Sequence, residues 1–314
     1  MNIDFAPVEE LKSKQSLGTA EPFNMSKKIW VAITAHNPLQ RLNPLINVLA
    51  NYQKFSHQIC VNIYVNYEAQ NDVPTLESVL EQFDKLKINV KVASPEYQNW
   101  YLTWAHKTDL ALAILNREAD FYIYQENDVL IRRDNFDYYM KWKPVLSRYN
   151  LEPGFALFES FEGKRVPIGN YEKWYLTKET PNVWHNIGFN VPKLLVVDFE
   201  IDFFVQLGSP YYCGMILDQT DGELYIRSDS YDPEKSYAKT GIRNWPIADR
   251  SSMGLAFENL PAGHEHRRCV PVVNNNGTYQ ILECGLIQHD DTKYSSRLKE
   301  QHGELLCVEE MLTF

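Results

Sequence analysis

Short apolar runs alternate with helix-spaced apolar residues through the first half of this chain. Ile29-Trp30-Val31-Ala32-Ile33-Thr34-Ala35 has the pattern of a buried strand and ends in the turn residues His36-Asn37-Pro38. Leu42, Leu45, Ile46 and Leu49 then recur at helical spacing. Ile59, Val61, Ile63 and Val65 alternate as a second strand, which ends at Asn66-Tyr67-Glu68. Leu76, Val79, Leu80 and Phe83 mark a second helix, and Ile88 to Ala93 a third strand. A loop bearing Pro and Tyr leads to a helix from about Thr103 to Asn116, carrying Leu110, Ala111, Ala113 and Ile114. Phe121-Tyr122-Ile123-Tyr124 is a fourth strand, and a helix around Phe136 to Leu146 follows it. Strands alternating with helices predict an α/β fold whose mostly parallel sheet has right-handed crossovers.

The pattern changes after Asn150. Strand-like pieces such as Phe155 to Phe161 are shorter, loops are longer and more polar, and Pro and Gly punctuate often. No internal repeat is visible. The expected layout is an N-terminal arm over residues 1–26, a ligand-binding α/β half over 27–150, and a second half over 151–314. That second half builds a pocket wall within the same domain.

The fourth strand turns acidic at Gln125-Glu126-Asn127-Asp128. Carboxylates at the C-terminal end of such a strand sit where open α/β sheets bind ligands. Glu126 and Asp128 supply hard oxygen ligands of the kind Mg²⁺ or Mn²⁺ takes, often together with substrate phosphates. A solvated turn explains the same residues, and the spacing alone leaves both readings open.

Composition narrows the partners. The 314 residues are 44% hydrophobic and 13% aromatic, which fits a folded globule rather than a disordered chain. The 19 Tyr and 7 Trp suit stacking on flat rings, in sugar sites as in cores. A net charge of −10 argues against a general nucleic-acid binder, which needs a basic face to replace counterions. The five cysteines are scattered, with no CxxC pair, which speaks against disulfides or a cysteine-zinc site. Residues 1–26 have no signal-peptide core, and no apolar run reaches membrane-spanning length. The expectation is a cytoplasmic protein, bacterial or viral. The oligomeric state is not readable.

Three short motifs resemble the GT-A glycosyltransferases, the nucleotide-diphospho-sugar transferases. They are Val31 to Asn37 with Arg41 nearby, Leu102-Thr103-Trp104-Ala105-His106-Lys107 heading a helix, and Tyr122 to Val129 followed by Asn135-Phe136. Cys284 to Ser295 adds a late His289 delivered by an apolar strand. The resemblance implies a Rossmann-like GT-A sheet, a nucleotide-diphospho-sugar donor, a carbohydrate acceptor, and Mn²⁺ or Mg²⁺ as cofactor. Glu126-Asn127-Asp128 then stands where the family carries its DXD motif, with an amide in place of the middle acid. Asp128, Glu126 and His289 are the implied metal residues. Ala35, His36, Asn37, Arg41, Asn66, Glu68, His106, Lys107 and Asn127 are the implied nucleotide-sugar contacts.

An inverting reaction needs a carboxylate to take the acceptor proton. Asp249 and Glu258 are the expected bases, with Asp218 and Glu159 behind them, and a retaining reaction needs none. Tyr211, Tyr212 and Trp245 are expected on the acceptor side, with Trp174 and Trp184 as further stacking residues. His264 and His266 flank Glu265, but the adjacent Arg267 and Arg268 oppose a cation there. Three rival readings stand beside the transferase. A nucleotidylyltransferase normally has a Gly-rich loop after the first strand, and Thr34 to Pro38 has no glycine. The others are a metal-dependent phosphohydrolase and an inactive nucleotide- or sugar-binding protein.

Overall fold

The computed structural model describes residues 26–168, 201–239, 245–276, 278–303, 305 and 307–310. Residues 1–25 of the expected arm, together with Trp174 and Trp184, lie outside the described residues.

The expected α/β architecture is present, with a mostly parallel sheet flanked by helices. Its strands are β1 (Lys28–Ala35), β2 (Gln58–Val65), β3 (Lys87–Val92) and β4 (Phe121–Glu126). β1 pairs with β2 and β4 in parallel, and β2 with β3. Every residue of β1 after Lys28 is buried, so the strand reads as a continuous apolar run because both faces of the sheet are covered. Helices α1 (Leu42–Tyr52), α2 (Val73–Leu80) and α3 (Lys107–Leu115) follow the first three strands. α1 buries Leu45, Val48, Leu49 and Tyr52, one stripe at i, i+3, i+4 and i+7. The segment before α3 is a separate 3₁₀ turn over Asn99–Trp104, not the first turn of one long helix.

Asn127 and Asp128 join β4 directly to a two-residue strand, β5 (Val129–Leu130). α4 (Arg133–Leu146) follows, three residues longer at its N-terminus than the pattern suggests, because Asn135 reaches back to the Arg132 backbone N–H at 2.8 Å.

The later half joins the core of the first and adds smaller apolar clusters of its own, one of them around Ala156, Phe158, Val270 and Val272. Its first strands are β6 (Glu152–Pro153), β7 (Ala156–Phe161), β8 (Lys164–Pro167) and β9 (Phe203–Val205). β10 (Gly214–Asp218) adds to the large sheet, antiparallel to β4, giving the order β10-β4-β1-β2-β3. Gly214 permits that approach, since a Cβ there would stand 2.9 Å from the Tyr124 carbonyl oxygen. Short helices α5 (Gln219–Tyr225), α6 (Lys235–Lys239) and α7 (Ile247–Ser251) precede β11 (Arg268–Asn275) and β12 (Thr278–Ile281). β13 (Leu286–His289) and α8 (Lys293–His302) follow, and a 3₁₀ turn over Val308–Glu310 ends the described residues. Tyr212, Cys213, Ile216, Cys269 and Ile287 enter the same apolar cluster as Val31, Ile33, Val61 and Ile63.

A second sheet has the order β5-β13-β7-β8. Its register sets the chemistry. His289 of β13 lies opposite Val129 of β5 and opposite Glu159 of β7. One row across three strands therefore brings Glu159 and His289 to the residue that follows Asp128.

Candidate active site

The site lies at the C-terminal edge of the large sheet, where β4 passes into β5. The Asn127 N–H donates to the Thr34 carbonyl at 3.2 Å, and the Glu126 N–H to the Cys213 carbonyl at 3.2 Å. The Asp290 N–H donates to the Asp128 carbonyl at 2.6 Å, tying the loop after β13 to the acidic turn. Beneath the turn, the Tyr52 hydroxyl bonds the Gln125 side chain, whose amide donates to the Val129 carbonyl at 2.6 Å. These bonds fix the backbone that carries the carboxylates.

Asp128 is 2% exposed. Its Oδ2 accepts from Arg41 Nη2 at 2.9 Å and faces His289 Nε2 at 3.4 Å. Among the described residues its buried Oδ1 has no hydrogen-bond partner, and neither has Nδ2 of Asn127. Arg41 also donates to Asp291 at 2.7 Å. Burial works against ionisation of Asp128, but the His289 contact and the His289 and Arg41 charges outweigh it and hold the pKa down at about 2. His289 is buried as well, and its contacts with Asp128 and Glu159 overcome that burial and raise it to about 9. Glu159 Oε1 lies 3.0 Å from His289 Nδ1.

Glu126 keeps part of its surface open, and its Oε1 accepts the Tyr211 hydroxyl at 3.0 Å. Packing around the carboxylate, then the nearby Asp128 charge, push its pKa up to about 7. Asp249 on α7 is close enough to raise Glu126 further, and burial lifts Asp249 itself to about 6. Two neighbouring carboxyl groups thus titrate near neutrality beside one that stays ionised, a pattern typical of functional sites.

At the ends of β1 and β2, Asn37 and Asn66 bond each other reciprocally at 2.8 and 2.9 Å, and Asn66 donates to Glu68 at 3.0 Å. Asn37 holds a left-handed φ of 45°, a conformation Asn tolerates better than most residues. Ala35 is buried at the strand end, and His36 beside it is exposed. Tyr211 packs its ring 6.2 Å from that of Trp245. Tyr212 is buried against Phe155, with the Arg268 guanidinium 4.4 Å above its ring.

The structure gives the other expected residues different partners. His106 is fully buried and stacks 4.1 Å from the Tyr124 ring, and burial lowers its pKa far enough to keep it neutral. Lys107 is buried among Trp104, Tyr124 and Tyr225, and its ammonium donates to the Tyr225 hydroxyl and the Ser251 carbonyl. Both pack on the face of the sheet away from α1, so neither joins the carboxylate cluster. Glu258 accepts from the Ser230 N–H and hydroxyl and from Lys239, which ties α6 to the loop after α7. Asp218 caps α5 through the Asp221 N–H at 2.7 Å. Sequence pattern alone does not distinguish Asp291, Tyr294 and Ser295 from their neighbours. Their signal in the sequence is the polar loop that follows the strand bearing His289.

Among the described residues, no group of three or more His, Cys, Asp or Glu side chains converges to hold a metal. The donors present still fit a divalent cation. Among the described residues Asp128 Oδ1 has no partner, His289 turns one ring nitrogen toward the same carboxylate at Oδ2, and Mg²⁺ or Mn²⁺ commonly takes its remaining ligands from water and phosphate. Also among the described residues, no helix is long and apolar enough to cross a membrane.

No family model matches this chain, and no curated protein does. Solved structures similar to it include a mannosyltransferase from Pyrobaculum calidifontis in complex with GDP-Man and Mn²⁺. That match has 12% identity over 48% of this chain and 40% of that one, with a TM-score of 0.31. Another is TarS 1-349 from S. aureus in complex with UDP, with 18% identity over 45% of this chain and 38% of that one, and a TM-score of 0.28. This chain thus spans well under half the length of either structure.

Proposed function

We propose that this protein is a metal-dependent glycosyltransferase that moves a sugar from a nucleoside-diphosphate donor to a hydroxyl of a carbohydrate acceptor. One observation carries the reading. At the ligand-binding edge of a parallel sheet, one buried Asp128 oxygen has no partner among the described residues, and both His289 and the Arg41 cation face its other oxygen.

A divalent cation held by Asp128 and His289 would offset the negative charge that grows on the leaving diphosphate. Arg41 is free to exchange its carboxylate partners for phosphate oxygens, a bidentate match its guanidinium suits. Asn37, Asn66 and Glu68 offer donors and acceptors at the strand ends for the base and ribose. Asn127 presents its unpartnered amide N–H to a donor oxygen. Asp249 accepts the proton of the acceptor hydroxyl if the reaction inverts, and Tyr211 holds Glu126 beside it. Tyr211 and Trp245 form the wall the acceptor meets.

A screen of nucleotide sugars tests this. Release of nucleoside diphosphate should require Mn²⁺ or Mg²⁺ and stop with EDTA. Metal-independent release, or release of inorganic phosphate from simple phosphoesters, would favour a different enzyme class.

A further inference from the structure

Glu159 is a fully buried carboxylate, and among the described residues no Lys or Arg cation stands against it. A buried carboxylate is costly unless its oxygens are satisfied. Oε1 faces His289 Nδ1 at 3.0 Å and accepts the Tyr294 N–H at 3.4 Å. Oε2 accepts the Ser295 N–H at 2.7 Å. The strand register sets this geometry, since Glu159 and His289 are paired residues of parallel β7 and β13. With Nδ1 so engaged, the ring has one orientation, and Nε2 faces Asp128 at 3.4 Å.

Resting on the metal-dependent reading above, we propose that Glu159 is the positioning residue of the metal centre. It fixes the tautomer and direction of His289, so that Nε2 is the ligating nitrogen, and it docks the first turn of α8 beside the same site. A histidine whose second nitrogen is held by a carboxylate is a more basic and better-aimed ligand. The two N–H groups of Tyr294 and Ser295 bind the same carboxylate, so the helix start and the ligand are set by one group. Tyr294 lies with its ring 5.6 Å from the imidazole, and so its placement follows from the same anchor.

A purely structural role for Glu159 predicts a loss of stability and an unaltered cation site. The two are separated by titrating Mn²⁺ into wild type and Glu159→Gln, followed by pulsed EPR of the Mn²⁺-loaded proteins. The glutamine keeps the volume and an acceptor for Ser295 but loses the charge. Expected is an imidazole ¹⁴N modulation in wild type, absent in His289→Ala and weakened in Glu159→Gln, with Mn²⁺ affinity down about 10- to 100-fold in the glutamine variant. If Glu159→Gln does not fold, Glu159→Asp serves, keeping the charge but drawing it back from Nδ1, and it should weaken Mn²⁺ by a smaller factor. Wild-type affinity with an unchanged ¹⁴N signal in either variant overturns the proposal while leaving the metal reading intact. If wild type itself fails to bind Mn²⁺, with or without nucleoside diphosphate, the metal reading falls and this proposal falls with it.

Discussion

Arg268→Met should be among the most destabilising single changes in the described structure. Arg268 and Glu152 are both about 4% exposed, and Nε of the arginine lies 3.2 Å from Glu152 Oε1. The same guanidinium donates to the carbonyls of Pro210 at 2.6 Å, Ser252 at 2.9 Å and Met253 at 3.0 Å. Removing one partner of a buried ion pair costs about 3–5 kcal/mol, because the remaining charge is left uncompensated. Orphaned buried carbonyls add about 1 kcal/mol or more each where water cannot reach them. Methionine returns part of the apolar packing against Tyr212, so a net loss of about 4–6 kcal/mol is expected, a large fraction of a typical 5–15 kcal/mol stability. Urea unfolding at neutral pH, followed by tryptophan fluorescence, measures it. Arg268→Met/Glu152→Leu removes the stranded charge and should recover about half of the loss, a coupling a double-mutant cycle resolves. A loss under about 1 kcal/mol for Arg268→Met, or a double variant no more stable than the single, would refute this reasoning. The change also loosens Pro210, and with it the loop that aims Tyr211 at Glu126.

Three further outcomes are expected. Gly285→Ala would put a Cβ 2.5 Å from Pro271 Cδ, and a proline ring in a strand has little room to yield, so a loss of about 1–3 kcal/mol should lower the thermal midpoint. Lys107→Met should cost stability by stranding the Ser251 carbonyl, yet leave nucleoside-diphosphate affinity unchanged in calorimetry; a large affinity loss would return Lys107 to the donor site. Asp249→Asn should slow transfer by about 10²–10⁴-fold with donor binding intact. Because burial holds Asp249 at about 6, wild-type kcat/KM should fall as pH drops through that value and the base becomes protonated, and a pH profile flat from 5 to 8 would remove Asp249 from the role.

The first half of the chain was legible because three of its four main strands, β1, β2 and β4, are largely buried on both faces. β1, β2 and β4 could only be apolar runs, and the acid at the end of β4 then had to lie at the sheet's open edge. The pairing of β13 with β7 and β5 was not legible. It joins residues about 130 and 160 positions apart, and the strands involved are two to six residues long. Glu159 therefore appeared as one weak candidate base among several, when its partner is an imidazole that only the fold brings near. The enclosure of Lys107 was not legible for a related reason. A charged residue at the head of a helix ordinarily faces solvent or phosphate, but Trp104, Tyr124 and Tyr225 come from three separate segments to enclose this one. Local pattern does not register an aromatic box assembled from distant positions.

Calorimetry of GDP and UDP with and without Mn²⁺, on wild type and Asp128→Ala, tests the central claim most directly. Nucleoside-diphosphate binding should depend on Mn²⁺ in wild type and be lost in Asp128→Ala while the protein stays folded. Binding of equal strength without the cation, or undiminished in Asp128→Ala, would contradict it.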